Sequence, residues 1–194
     1  MNDNLSLSPW VGGFEEKPDW TTFFLAESFL TAQKSIDTST VHGCVWVDRN
    51  NKILSKGYNG PLRGSDDKTV PMTRPIKYFL LLHSEENCLL NYSGSLSDTE
   101  GSTMYISGSP CHRCLRMMLQ KGIRRIVHGP VNSHCVDAED MAAKESLLSN
   151  TIYNDPFSKD FVSITEVKDM RPVVDLLLRT ISYIQYKCPD ALSK

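Results

Sequence analysis

Two stretches, His83–Glu85 (HSE) and Pro110–Cys114 (PCHRC), decide which fold and chemistry this sequence predicts. One imidazole and two thiolates, from His83, Cys111 and Cys114, can hold a zinc ion and leave its fourth position open for water. Glu85 then lies beside the metal as a carboxylate that is not a ligand, which is the arrangement that activates water near neutral pH. The two stretches therefore predict a hydrolytic zinc site.

A closed structural zinc site is the alternative interpretation of the same residues. It would need a fourth protein ligand, for which His112 and Cys135 are the candidates. Glu85 would then have no function, so the open site is favoured. His42 and His128 flank predicted strands and are expected to be structural histidines.

The segments before the second stretch predict a buried helix followed by a hairpin. Asp19 is a plausible N-cap for a helix over residues 20–32, whose apolar residues lie nearly all round the axis and predict a mostly buried helix. Residues 43–47 and 53–58 flank a run of turn formers and predict an antiparallel hairpin. A helix is predicted over residues 80–91, with His83 and Glu85 close together in it.

The segments around and after the second stretch predict the rest of a mixed sheet. Pro110 fits the first helical position of a helix that ends near Lys121, between strands at 102–107 and 125–128. Strand, helix and strand in short succession predict a right-handed crossover with parallel strands. A helix at 136–149, a strand at 161–165 and a helix from Pro172 follow, and the last helix has a broad apolar face that should pack on the sheet or on another subunit.

Composition predicts one compact domain acting on a small molecule. The chain has 194 residues, 40% of them hydrophobic, which suits a single domain over residues 1–194 with a loose arm at 1–17 and a C-terminal extension at about 150–194. The net charge of -2 offers no general attraction for nucleic acid. The chain starts without a signal-peptide pattern and has no apolar run of about 20 residues, so its six cysteines predict a reducing, cytoplasmic setting and no membrane.

Several further motifs bear on the family of the chain. They are the first helix followed by Gln33–Asp37 (QKSID), Gly57–Gly60 (GYNG), Gly64–Asp67 (GSDD), His83–Asn87 (HSEEN) and Gln120–Ile123 (QKGI). In order and spacing, from about residue 19 to 135, they resemble the deoxycytidylate (dCMP) deaminases. The zinc signature alone is shared by the whole cytidine deaminase-like superfamily, and the GYNG and Asp-Asp elements narrow the resemblance to the dCMP branch.

This resemblance implies a three-layer α/β/α fold with a central mixed five-stranded sheet. It implies a Zn2+-dependent hydrolase that converts dCMP to dUMP and ammonia in pyrimidine deoxynucleotide metabolism. Many relatives are hexamers regulated by dCTP and dTTP, with Mg2+ at the effector, so a homo-oligomer (hexamer or dimer) and such effectors are expected.

The resemblance also implies roles for residues outside the zinc signature. Asn59 matches a nucleotide-binding residue, Lys34 falls near the expected phosphate, and Ser84, Ser109 and Pro110 belong to the substrate pocket. The expected effector residues are Gly57, Tyr58, Gly60, Asp66 and Asp67. His134 is predicted to touch substrate on a different ground, because its loop follows the carboxyl end of a strand.

Two departures from the family pattern predict a wider base pocket. Ser109 stands where relatives usually have an aromatic residue, and Met72 replaces a frequent tryptophan. A 5-substituted dCMP is therefore an alternative substrate. Two other functions stay open: a deaminase that edits DNA, RNA or tRNA, and a catalytically silent zinc-binding relative.

Overall fold

A computed structural model describes residues 17–132, 136–149, 155–158 and 160–188. The secondary structure runs in this order: α1 (Trp20–Ala32), β1 (Gly43–Val47), β2 (Ile53–Tyr58), β3 (Gly60–Pro61), α2 (Lys77–Leu80), β4 (Leu81–Leu82), α3 (Ser84–Asn91), a 3-10 turn (Leu96–Thr99), β5 (Thr103–Gly108), α4 (His112–Gln120), β6 (Arg125–Val131), α5 (Ala138–Ser149), β7 (Ser163–Glu166) and α6 (Arg171–Lys187). No helix in these described segments is long and apolar enough to cross a bilayer. Of the predicted N-terminal arm, residues 1–16 lie outside the described residues.

The central sheet is mixed and five-stranded, as predicted, with the order β2-β1-β5-β6-β7. The β1 strand pairs antiparallel with both β2 and β5, whereas β5–β6 and β6–β7 are parallel. The predicted parallel crossover from β5 through α4 to β6 is therefore confirmed. A short two-stranded sheet of β3 and β4 lies apart from it.

Side chains alternate between two cores, one on each face of the sheet. Because successive strand residues point to opposite faces, Val45 and Tyr105 pack with α1 and α6, while Trp46 and Met104 pack with α3 and α4. Every residue of β1 is buried. The result is the three-layer α/β/α arrangement that the sequence predicted.

The α1 helix has the predicted bounds, and its burial differs from the prediction at a few exposed apolar residues. The Asp19 carboxylate accepts hydrogen bonds from the Thr22 backbone N–H at 3.0 Å and the Thr22 hydroxyl at 2.8 Å, which caps the helix. Trp20 and Leu30 are 54% and 53% exposed. The expectation of a mostly buried helix is wrong at these exposed positions, because the described sheet and α6 cover the side of α1 that carries Phe24, Leu25 and Ala26.

Both helices that carry the zinc signature start later than predicted. Leu81 and Leu82 pair with β3 rather than opening a helix, and α3 starts at Ser84 with His83 as its N-cap. The α4 helix starts at His112 with Cys111 as its N-cap, so Pro110 precedes the cap instead of occupying the first helical position. His83 and Cys111 both have the extended backbone that an N-cap residue adopts.

The C-terminal helix α6 packs against α1 through part of its predicted apolar face. Val173 is buried, and Leu177 contacts the core on that side. Val174, Ile181 and Ile184 are each 45% exposed. The described part of the chain therefore covers only part of this face.

Gly57 lets β2 approach α3 more closely than any other residue would allow. A Cβ atom at this position would lie 2.2 Å from the Ser84 carbonyl oxygen and 2.4 Å from the Cys88 backbone nitrogen. Backbone atoms cannot move aside as a flexible side chain can. Gly57 therefore fixes the distance of α3, and of His83 at its start, from the sheet.

We expect Gly57→Ala to push α3 outward and to lower the free energy of unfolding by about 1–3 kcal/mol, the usual cost of overpacking. Urea denaturation measures this loss, and zinc content measures the displacement of His83. Gly60→Ala is the matched control, because an added Cβ there meets only the Tyr58 ring at 3.2 Å. Equal stabilities for the Gly57 and Gly60 variants would contradict the close-approach argument.

Candidate metal centre and adjoining cavity

Three side chains with metal-binding atoms converge at the N-termini of α3 and α4. The Nδ1 atom of His83 lies 3.5 Å from Cys111 Sγ and 3.4 Å from Cys114 Sγ. The three donor atoms all lie within 4.8 Å of one another, and both cysteines are buried. Within the described ranges this is the only group of three such side chains close enough to share a metal.

The two thiols have pKa values shifted in opposite directions. The pKa of Cys111 falls to about 4, first through the hydrogen bond from the Cys114 thiol and also through His83, while burial opposes the fall. The pKa of Cys114 is raised by that same hydrogen bond and by burial. Cys111 is the N-cap of α4 and Cys114 lies in its first turn, where the helix dipole favours negative charge.

The donor set fits zinc. One imidazole nitrogen and two sulfurs are ligands that zinc prefers, and three protein ligands leave one coordination position open. His112 points elsewhere, because its Nδ1 lies 2.7 Å from Asp140 Oδ1. Cys135 lies outside the described residues.

Glu85 is a buried carboxylate next to this cluster. Its Oε2 accepts a hydrogen bond from the Ser84 hydroxyl at 2.7 Å, and the residue is 5% exposed. Burial raises the pKa of Glu85, although His83 and the Ser84 hydroxyl act against the rise. The following residue has a different task, since Glu86 accepts a hydrogen bond from the His83 backbone N–H at 2.7 Å and caps α3.

A cavity opens beside the metal-binding atoms. Its lining consists of Asp37, Thr40, His42, Asn59, Arg74, Lys77, Tyr78, Leu81, Leu82, His83, Ser84, Glu85, Ser109 and Cys111. The structure thus brings together six residues that the sequence analysis assigned to the site: Asn59, His83, Ser84, Glu85, Ser109 and Cys111. Pro110 is buried directly before Cys111, and its carbonyl oxygen accepts a hydrogen bond from Lys144 at 3.0 Å.

Asn59 ties together the loop that forms one wall of the cavity. Its Oδ1 accepts from the His42 backbone N–H at 2.7 Å, and its Nδ2 donates to the Thr40 carbonyl oxygen at 3.0 Å. The same Nδ2 lies 3.4 Å from Asp37 Oδ2. The Asn59 amide therefore holds residues 37–42 in place.

The cavity wall contains a buried ion pair that no sequence pattern predicts. Lys77 Nζ lies 2.8 and 3.0 Å from the two carboxylate oxygens of Asp37, and the side chains are 3% and 8% exposed. The two residues are 40 positions apart in the chain, and Lys77 lies in the short helix α2, for which no sequence pattern gave a signal. Only the folded chain brings these charges together.

The position of His42 also differs from the expectation. Its Nδ1 lies 3.3 Å from Ser107 Oγ, but among the described residues its buried Nε2 has no hydrogen-bond partner. The expectation of a fully bonded structural histidine is therefore wrong, because β1 begins beside the cavity. Burial, together with the nearby His83, lowers the pKa of His42 to about 4, so the ring is neutral at neutral pH. His128 does have a partner, the Gly129 carbonyl oxygen at 2.9 Å from its Nδ1.

Lys34 does not line this cavity. It lines a second one with Tyr58, Arg63 and Asp67, and the full lining is Lys34, Ile36, Tyr58, Pro61, Leu62, Arg63, Gly64, Ser65 and Asp67. Of the expected effector residues, Tyr58 and Asp67 are in this lining. Gly57 instead packs on α3, Gly60 pairs with Leu82 in the small sheet, and Asp66 shapes a turn by accepting from the Lys68 backbone N–H at 3.0 Å. His134 lies outside the described residues.

Comparisons with known proteins point to one family. A family model described as the cytidine and deoxycytidylate deaminase zinc-binding region matches residues 18–130. Deoxycytidylate deaminase from Mus musculus is 33% identical over 136 residues, which are 67% of this chain and 74% of that protein. The Homo sapiens deoxycytidylate deaminase is 31% identical over 137 residues, 68% of this chain and 75% of its own.

The fold also matches a solved structure. The dCMP deaminase of cyanophage S-TIM5, solved in apo form, superposes with a TM-score of 0.55 at 22% identity. The match covers 78% of this chain and 100% of the phage protein. The α/β/α arrangement is therefore that of a cytidine deaminase-like protein.

Asp37→Asn should lower the free energy of unfolding by about 3–5 kcal/mol, because Lys77 would keep a buried charge without a full counter-charge. Burial tends to raise the pKa of Asp37, but Lys77 and the Ser39 backbone N–H lower it below 3.8 overall. A depressed carboxyl pKa stabilises the fold at pH values above 3.8, and this contribution disappears as pH falls through the folded pKa.

The stability difference between the wild type and Asp37→Asn should therefore be constant near neutrality and shrink only in acid below about pH 4. Urea denaturation over a pH series measures it. Glu27→Gln, which removes the surface pair with Lys56, is the control and should cost less than about 1 kcal/mol. An Asp37 variant as stable as the wild type at pH 7 would show that the buried pair contributes nothing.

Proposed function

Because the chain belongs to the cytidine and deoxycytidylate deaminase family, we propose that it deaminates dCMP hydrolytically, as a single domain, to dUMP and ammonia. The observation that carries this proposal is the buried Glu85 carboxylate, which lies in a cavity beside the His83, Cys111 and Cys114 cluster without belonging to it. A cluster built only for structural support would have no use for this carboxylate.

His83, Cys111 and Cys114 are the proposed zinc ligands. When bound, zinc supplies the Lewis acidity that makes water a nucleophile near neutral pH. The N-termini of α3 and α4 add favourable dipoles for the two thiolates. The burial of both cysteines keeps bulk water away from them.

Glu85 is the proposed proton carrier. Its carboxylate takes a proton from water and gives it to the ring nitrogen N3 of the base, then passes a second proton to the departing amine. In the net reaction, water adds its oxygen at C4, the bond from C4 to the amino nitrogen breaks, and ammonia leaves. Burial raises the pKa of Glu85, which brings it closer to the working pH of a general base and acid.

The position of Arg74 suits the phosphate of the nucleotide. Lys77 is already neutralised by Asp37, whereas Arg74 is exposed and, as far as the described chain goes, pairs with no carboxylate. Its guanidinium lies over the Tyr78 ring at 5.9 Å. Arg74 thus takes the phosphate role that the resemblance gave to Lys34, while Asn59, Ser84, Ser109 and Pro110 remain proposed substrate contacts.

A 5-substituted dCMP remains the alternative substrate. Ser109 lines the cavity, and its small side chain supports this alternative because relatives usually carry an aromatic residue there. Met72 does not line the cavity, so only one of the two departures supports this alternative. Ammonia release from 5-methyl-dCMP and dCMP, measured side by side, decides between them.

The second cavity supports a proposal of nucleotide regulation. Lys34 and Arg63 supply positive charge there, and Tyr58 supplies an aromatic surface for a base. We expect dCTP and dTTP to bind at this cavity, with any Mg2+ carried on their phosphates.

The exposed apolar residues of α1 and α6 support a homo-oligomer. The free thiols of the described cysteines suit the reducing cytoplasm.

Glu85→Gln should lower kcat for dCMP by at least about 100-fold, because the amide cannot carry the proton. Zinc content, measured by mass spectrometry, should not change, since Glu85 is not a ligand. Ammonia release is measured with dCMP, CMP, deoxycytidine, dAMP and a single-stranded oligonucleotide. An unchanged rate in the variant would exclude this role for Glu85, and turnover of the oligonucleotide alone would identify an editing deaminase.

Arg74→Ala should raise KM for dCMP by about 10- to 100-fold, the usual loss for a charge-assisted hydrogen bond. The rate with deoxycytidine, which has no phosphate, should stay the same. Arg63→Ala is the matched control, since this arginine lines the second cavity. Equal losses with dCMP and deoxycytidine would assign Arg74 a structural role instead.

A further inference from the structure

The α4 helix lacks a side-chain cap of its own. Its N-cap residue, Cys111, makes no capping hydrogen bond, since its Sγ belongs to the metal-binding cluster. The first backbone N–H groups of a helix have no partner within the helix and need one from elsewhere. Cys111 thus leaves the start of α4 dependent on another element.

The missing cap comes from α5. The Oδ1 atom of Asp140 accepts a hydrogen bond from the His112 backbone N–H at 2.7 Å and lies 2.7 Å from His112 Nδ1. Asp140 is 4% exposed. A buried carboxylate therefore holds the residue that directly follows Cys111.

A lysine one turn further along α5 holds the other side of Cys111. The Nζ atom of Lys144 donates to the Pro110 carbonyl oxygen at 3.0 Å and to Ser109 Oγ at 3.3 Å. It also lies 3.2 Å from Asp140 Oδ2, and its side chain is 10% exposed. Lys144 thus donates its hydrogen bonds to the two residues that directly precede Cys111.

We propose that Asp140 and Lys144 are positioning residues that hold the peptide on both sides of Cys111 and so fix the metal-binding geometry. This inference rests on the proposed function only in taking the cluster to bind zinc. Each charge bonds the backbone next to Cys111, on opposite sides, and each neutralises the other. Removal of groups that orient metal ligands typically weakens metal binding 10- to 100-fold.

Zinc affinity, measured by competition with a chromogenic chelator, tests this role. Asp140→Asn and Lys144→Met should each raise the zinc dissociation constant by about 10- to 100-fold at a temperature where the fold is intact. The visible spectrum of the Co2+-substituted protein should shift in band position or intensity, because it reports ligand geometry. Glu139→Gln on the exposed face of α5 and Lys52→Met in the hairpin are matched controls that should change neither quantity.

Single variants leave one buried charge without its partner, which can unfold the chain. The double variant Asp140→Leu/Lys144→Met removes both charges and should fold. Its zinc dissociation constant tests the proposal if the single variants unfold. Folded variants with lower melting temperatures, but with a zinc affinity within twofold of the wild type and an unchanged Co2+ spectrum, would overturn the proposal. Tight zinc binding without deamination by the wild type would overturn the proposed function and leave this test intact.

Discussion

The meeting of two helix N-termini at one end of the sheet is the constraint on which the rest of the structure depends. The first metal-binding residue of each stretch is an N-cap, His83 for α3 and Cys111 for α4. An N-cap has extended backbone and precedes the first turn, so its side chain can point out beyond the helix end. The parallel crossover from β5 to β6 carries α4 to this end, and Gly57 sets the approach of α3.

A metal ligand at the N-cap does not use its side chain to bond the free N–H groups of the helix. The two helices satisfy these groups in different ways. The α3 helix is closed by its own Glu86, which bonds the His83 backbone N–H. The α4 helix has no such residue in its first turn and uses Asp140 from α5. A local solution and a long-range one thus stand side by side in one metal centre.

The local features could be predicted from the sequence, and the long-range ones could not. Residue type and spacing predict the cluster of His83, Cys111 and Cys114, and a run of turn formers between two short segments predicts the hairpin. Leu81 and Leu82 were assigned to a helix because a short apolar run looks the same in a helix and in a strand, and only pairing with β3 decides. Lys77, Asp140 and Lys144 carry no motif, because their roles arise from partners 28 to 40 residues away.

Part of the cavity wall is formed by segments that do not carry the metal ligands. Asn59 and the buried Asp37–Lys77 pair brace residues 37–42 and α2, whereas α3 and α4 present the zinc-binding atoms. Part of the surface that a bound molecule would meet therefore lies on segments other than those with the metal-binding atoms. Loops could be exchanged between relatives to change what enters the cavity while the reactive centre keeps its shape, which makes this architecture a modular scaffold for new deaminases.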